Sequence, residues 1–379
     1  MIRARRRTDI SICGGTITPK GVQPLQHPDI HAPWAQWSEE QALHLIIPYS
    51  NPWRWRTRRE LFNDCYRHFR QSPNVIPYRT EVAFGDRPFE VTGDDPNDRQ
   101  YRTHDEMWLK ENSINLAVSR LPVDWKYAAY VDGDFHFTRH DWALEAIHLL
   151  QHYDFVQLFS TYADITGETA TSWRGHRPYR INSTFAWNYQ HQEEFRAEQQ
   201  RRAGSPDPGY YVKMPPSKVF PFGFWPGAPG GAWAWRRSAF EAVGGLLDTC
   251  ILGSGDYHMA AGLTQLPDTH AEMKLQLPGY IRSIHEWRDR AGQLHGNIGC
   301  VDNFAIHNWH GNKVSRGYGD RIDILRVHQF DPYRDIQRDW QGLWKWDGRK
   351  PKMRDATRKF FLDRNEDEAT LRDAKGPIV

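Results

Sequence analysis

Apolar positions in this 379-residue chain alternate between two rhythms across residues 41–160. Leu43 to Ile47 is a near-continuous apolar run, which reads as a strand covered on both faces. A Pro/Ser/Asn break follows, and then Leu61, Phe62, Cys65 and Phe69 recur at the spacing of one helix face. Residues 74–84 predict a second strand, residues 105–120 a helix, and Tyr127–Val131 a third strand. Thr138 and Asp141 have capping-box spacing ahead of a helix whose buried face is Trp142, Ala146, Leu149 and Tyr153. Residues 155–160 predict another strand. Strands alternating with helices point to an α/β fold with a mainly parallel sheet flanked by helices.

The rhythm is lost over residues 161–232, which are rich in Arg, Gln, Pro, Gly and aromatics. A stretch of this length without periodicity reads as an insertion or a connection. Periodicity returns at 232–245 as a strand and a short helix, with Ser238 placed to cap it and Gly244–Gly245 to stop it. Residues 1–40 read as an irregular N-terminal arm, residues 41–325 as the main domain, and residues 326–379 as a C-terminal helical extension.

Composition narrows the function classes. The net charge of +2 gives no global field for nucleic acid. Two basic runs stand out locally, Arg3, Arg5, Arg6 and Arg7, and then Arg54, Arg56, Arg58 and Arg59. Seventeen Trp residues are many for this length, and several lie in Gly/Pro-rich sequence. They read either as packing or as stacking platforms for sugars and bases. The four cysteines show no CxxC spacing, so they predict free thiols in a reducing compartment. No apolar run reaches membrane-span length, and no apolar segment follows the basic N-terminus. The expected location is cytoplasmic, in a bacterium or a phage-infected host.

The candidate chemistry begins at "KYAAYVDGDFHF", residues 126–137. A buried strand ends in Asp132 and Asp134, separated only by Gly133. Ligands of open α/β sheets collect at the carboxyl ends of strands. Two hard oxygen donors there suit Mg²⁺ or Mn²⁺, and Gly133 lets a bulky group approach the backbone. Asp-Gly is also an ordinary turn signal, so the motif needs its context.

Four segments, in this order, supply that context. They are "LIIPYSNPWRWRTR", "WLKENSINLAVSRLPVDWKYAAYVDGDFHF", "GGAWAWRRSAFEAVGGLLDTCILGSGDYHMA" and "HNWHGNKVSRGYGDR". Together they resemble the GT-A class of nucleotide-sugar glycosyltransferases, closest to its galactosyltransferase-type branch. The resemblance implies a Rossmann-like GT-A domain over 41–325, with 161–232 as an acceptor-side insertion. It implies a donor that is a nucleoside diphosphate sugar, with a UDP-sugar favoured, and Mn²⁺ or Mg²⁺ as cofactor.

Site roles follow from the resemblance residue by residue. Asp134 is expected to bind the metal directly, and Asp132 to touch the ribose or the metal's water shell. A C-terminal histidine completes the metal set, with His310 favoured and His307 the alternate. Asp256, in "GSGDYH", stands where an inverting enzyme places its general base, although this sequence supplies one acid where that branch has more. Asp256 also opens a predicted helix and could serve only to cap it. Lys313, Arg316 and Arg321 are placed to clamp a diphosphate. Pro48, Tyr49, Ser50 and Asn51 are expected to hold the base and ribose, with Glu81 reading the base. Trp233 is expected to line the sugar pocket. The acceptor is a hydroxyl, and the Arg/Trp runs permit a hydroxylated base in phage DNA among other acceptors. Two alternatives use the same features: a nucleotidyltransferase built on the same aspartates, and a non-catalytic carbohydrate- or nucleic-acid-binding protein using the Trp-rich loops.

Overall fold

The structure, a computed structural model, describes residues 42–165, 178–193, 227–266, 276–312, 314–317 and 320–368. The N-terminal arm and Lys313 lie outside these residues, as do much of the 161–232 stretch and the last part of the C-terminal segment.

The central sheet forms from the apolar runs. Strands β1 (Leu43–Ser50), β2 (Val75–Phe84), β3 (Arg99–Thr103) and β4 (Tyr127–Val131) join β6 (Phe155–Gln157), β9 (Ala232–Arg236) and β10 (Ile298–Cys300). Their order is β10-β6-β9-β4-β1-β2-β3. All neighbours are parallel except β9, which runs antiparallel to both β4 and β6. This is the mixed α/β architecture, with a mainly parallel sheet, that the sequence predicts. Leu43, Leu45 and Ile47 enter one core cluster and Ile46 the other, so β1 is covered on both faces.

Helix α1 (Arg56–Arg70) buries Leu61, Phe62, Cys65 and Phe69, the four residues predicted from their spacing. Helix α2 (Lys110–Val118) starts later than expected, because Trp108 donates its N–H to the Ile251 carbonyl and Leu109 takes the cap position. The capping box at Thr138 does not form. Thr138 instead donates from both its N–H and its hydroxyl to the Phe304 carbonyl. Helix α3 (Trp142–Leu149) therefore begins behind Asp141. Helix α4 (Arg237–Val243) follows Arg236 rather than Ser238 at its N-cap and stops at Gly244, whose φ is 75°.

A second sheet has the order β5-β11-β7-β8, from β5 (Phe135–Phe137), β7 (Thr161–Ile165), β8 (Pro178–Ser183) and β11 (Phe304–His307). Part of the apparently aperiodic stretch is thus regular. The polar C-terminal segment is also packed. Phe330, Ile336, Leu343, Met353 and Phe360 join the larger core cluster.

The two sheets meet where β4 runs into β5, and a histidine pair packs there. His68 and His136 lie edge to face at 4.9 Å, and His68 Nε2 accepts the Phe137 N–H at 3.1 Å, so His68 must be neutral. Burial, followed by the neighbouring His136, lowers its pKa to about 4. The unfolded chain takes up this proton near 6.5, so the stabilisation is complete above that pH and is lost as pH falls towards 4. Unfolding free energy should drop by up to about 3 kcal/mol across that window. Urea titrations of wild type and His68→Gln at pH 7.5 and 4.5 check this, and the variant should lose most of the slope.

Candidate metal centre and cleft

The connection after β1 turns away from the connection after β4, so a crevice opens at the carboxyl ends of these adjacent strands. Pro48, Tyr49, Ser50, Pro52, Trp53 and Trp55 form one wall and Asp132–Asp134 the floor. Ser254 and Asp256 form the facing wall, and His307, His310, Arg316 and Arg321 close the end.

Asp134, His307 and His310 each present one ligand atom, all within 4.8 Å of one another. The Asp134 carboxylate lies 3.1 Å from His310 Nε2 and 3.7 Å from His307 Nε2. The second sheet holds this arrangement. His307 pairs across strands with Phe135 and Asp164. Its ring stacks on Phe135 at 4.7 Å, and its Nδ1 donates to Asp164 at 2.6 Å. That bond fixes the tautomer and turns Nε2 towards Asp134. Asn308 ties the two loops together, donating its backbone N–H and its side-chain amide to the Asp134 carbonyl at 2.8 and 2.9 Å.

Burial and neighbouring charges set the protonation of the three groups. Burial disfavours the charged carboxylate of Asp134, but His307, Arg316 and Arg58 outweigh it and hold its pKa below the usual range. Burial opposes charge on His307 too, yet Asp134 and Asp164 raise its pKa to about 9. His310 is driven the other way by burial and by Arg316, which donates to its Nε2 at 2.9 Å. Asp134 Oδ1 is buried and has no hydrogen-bond partner among the described residues. A buried orphan oxygen costs stability unless something fills its coordination. The two imidazoles face the other oxygen, Oδ2, and one carboxylate with two imidazoles is a fitting donor set for a divalent transition ion once Arg316 releases His310 Nε2.

Asp132 does not join this group. It is not among the three grouped ligand atoms, and Lys110 Nζ pairs with it at 3.0 Å. The same lysine lies 3.6 Å from Glu111, a carboxylate only 2% exposed that burial raises to about 7. Gly133 admits a neighbour as expected, but the neighbour is protein: a Cβ there would meet Phe62 of α1 at 3.0 Å. Asp256 sits in the first turn of helix α5 (Gly255–Thr264), where the helix N-terminus favours a carboxylate. Gly230 has no side chain because the Asp256 carboxylate occupies that place.

The chain matches no family model, and no curated protein matches it. Among solved structures it is similar to 4-diphosphocytidyl-2C-methyl-D-erythritol synthase from Anaerococcus prevotii. That match has 12% identity, covers 69% of this chain and 87% of the other, and has a TM-score of 0.29. It is also similar to the galactosyltransferase LgtC, solved with donor and acceptor sugar analogues. There the identity is 8%, the coverage 74% of this chain and 79% of the other, and the TM-score 0.27. Likeness at this level carries no inference about activity, which rests on the geometry of the cleft.

The remaining predicted residues divide in two. Pro48, Tyr49, Ser50, Arg316 and Arg321 line the cleft with Asp134. Asn51 is buried and spent on the fold: its amide donates to the Tyr49 hydroxyl and the Trp55 carbonyl, and its oxygen accepts the Trp55 N–H. Tyr49 in turn donates to Glu90 at 2.5 Å. Glu81, expected at the base, is instead 1% exposed and accepts the N–H groups of Glu90, Val91 and Thr92. Trp233, expected at the sugar, is a core residue on β9 whose indole N–H donates to the Pro229 carbonyl.

Four contributors carry no local sequence signal. Lys110 opens α2, Asp164 lies on β7, and Arg364 and Glu366 follow the C-terminal helix Pro351–Asp363. Asp164 offers a direct check on the metal centre. Asp164→Asn should weaken Mn²⁺ binding by about 10- to 100-fold, because the substitution removes the charge that orients His307. Isothermal titration with MnCl₂ measures this, and an unchanged affinity would remove His307 from the ligand set.

Among the described residues, no helix is long and apolar enough to cross a membrane.

Proposed function

We propose that the protein is a metal-dependent glycosyltransferase that moves a sugar from a nucleoside diphosphate donor to a hydroxyl acceptor. The observation that carries this reading is the Asp134–His307–His310 group at the carboxyl end of a core strand, in one cleft with Arg316, Arg321 and Asp256. Asp134, His307 and His310 would hold the ion. Two imidazoles favour Mn²⁺ over Mg²⁺, which prefers oxygen donors. When bound, such an ion supplies positive charge to the departing diphosphate.

The chain's own residues do the rest. Arg316 and Arg321 add fixed positive charge at the same end of the cleft, aimed where negative charge develops. Ser50, Pro52, Trp53 and Trp55 are the groups of the β1 loop left to meet the nucleoside, because Asn51 and Glu81 are engaged elsewhere. Asp256 accepts the acceptor's hydroxyl proton as that oxygen bonds to the anomeric carbon and the bond to the diphosphate oxygen breaks. It stands in the first turn of α5, at the helix end that carries partial positive charge. The donor is expected to be a UDP-sugar, and the acceptor to lie against the Asp256 wall.

A panel of UDP-, GDP-, CMP- and dTDP-sugars with Mn²⁺ tests the reading by product analysis. Release of nucleoside diphosphate supports sugar transfer, whereas release of pyrophosphate would make the protein a nucleotidyltransferase. With the active donor identified, Asp256→Asn should lower kcat by about 10²- to 10⁴-fold with little change in donor KM.

A further inference from the structure

The cleft also contains an anion of the protein's own. Glu366 is 2% exposed and lines the same cavity as Asp134. Its carboxylate is forked by Arg58, whose Nε donates to Oε2 at 2.6 Å and whose Nη2 donates to Oε1. Arg364 Nε adds a further bond to Oε1 at 2.9 Å, and His310 Nδ1 lies 3.9 Å from Oε2. The next residue is also docked. Asp367 accepts the N–H groups of Thr57 and Arg56 at 2.8 and 3.1 Å. These lie in the first turn of α1, which has no acidic residue and no side-chain cap of its own. Trp309 fixes the same strand by donating to the Glu368 carbonyl at 2.6 Å. Gly311, with φ 84°, leaves room for it, since a Cβ there would meet the Asn365 carbonyl at 2.8 Å.

Two guanidinium groups converging on paired oxygens form the geometry that recognises a phosphate as well as a carboxylate. Arg58 and Arg364 share the Glu366 carboxylate, while Asp134, which Arg58 also helps to hold ionised, lines the same cavity. A phosphate group in place of Glu366 would offer the same two guanidinium groups three acceptor oxygens instead of two.

We propose that Arg58 and Arg364 form the seat of a diphosphate and that Glu366 is its internal occupant, so that residues 365–368 act as a latch that must lift for the anion to bind. The assignment of a diphosphate rests on the glycosyltransferase reading. The exchange itself is a property of the nest. A latch that holds the seat closed lowers apparent affinity by the fraction of time it is shut. Loosening it must therefore tighten anion binding even when every charge of the nest is kept.

The test is calorimetric titration of the full chain with inorganic pyrophosphate in EDTA, which makes it independent of the metal centre and of any transfer activity. Asp367→Asn loosens the latch from an exposed position and leaves the charges of the nest intact. Its pyrophosphate affinity should rise about tenfold over wild type. Glu366→Gln should rise at least as much, and Arg58→Gln should abolish binding. Unchanged or weaker binding by Asp367→Asn would overturn the proposal, as would failure of every variant to bind pyrophosphate. Failure of the donor panel alongside tighter pyrophosphate binding would instead remove the glycosyltransferase reading and leave the latch standing.

Discussion

Asp134→Asn should lower turnover at saturating donor and Mn²⁺ by about 10³-fold or more, corresponding to the several kcal/mol that a bound cation contributes to a departing diphosphate. The argument is geometric. Asp134 is the one carboxylate that both histidine Nε2 atoms face, and its Oδ1 is the buried oxygen left without a partner. An amide keeps the shape but removes the charge, and it offers one weak donor oxygen in place of two. Asp132→Asn should act differently. Its partner is Lys110, so Mn²⁺ affinity should stay within a fewfold of wild type while donor KM rises. Calorimetry with MnCl₂ and steady-state kinetics on the two variants separate these outcomes. Equal loss of Mn²⁺ binding in both would restore Asp132 to the ligand set.

Glu81→Ala should destabilise the fold by about 3–5 kcal/mol, close to the cost of breaking a buried charge network. The carboxylate is 1% exposed and accepts three consecutive backbone N–H groups and the Thr92 hydroxyl. Removing it leaves the buried Val91 N–H without an acceptor, at a cost of about 1–3 kcal/mol, and three half-buried donors at less each. Urea unfolding reads the loss as a lower midpoint with an unchanged slope. A residue that read the donor's base would instead leave the midpoint in place and raise donor KM.

Glu81 also shows what sequence could reveal. Its place at the end of a strand was legible, because β2 is a continuous run of strand-forming residues. Its task was not, because the 85–93 excursion returns to take up the carboxylate and nothing local marks that return. The same contrast holds across the molecule. The strand ending at Val131 and the buried face of α1 follow from contiguous periodicity, so they can be read directly. His307 and His310 differ only through what faces them across the second sheet, Asp164 for one and Arg316 for the other. The resemblance places Trp233 at the sugar pocket, but its indole turns into the core, and it is Asp256 that closes on Gly230. Glu366 lies in a polar, charged run that reads as solvated until packing against Arg58, 308 positions away in sequence, buries it.

The central claim is that a divalent ion sits between Asp134, His307 and His310. The most direct measurement is anomalous diffraction at the manganese edge from crystals soaked in MnCl₂ and UDP. The account predicts one strong peak bounded by the Asp134 carboxylate and the two histidine Nε2 atoms. A peak at Asp132 and Lys110 with none at the histidines, or no peak in the cleft, would contradict it.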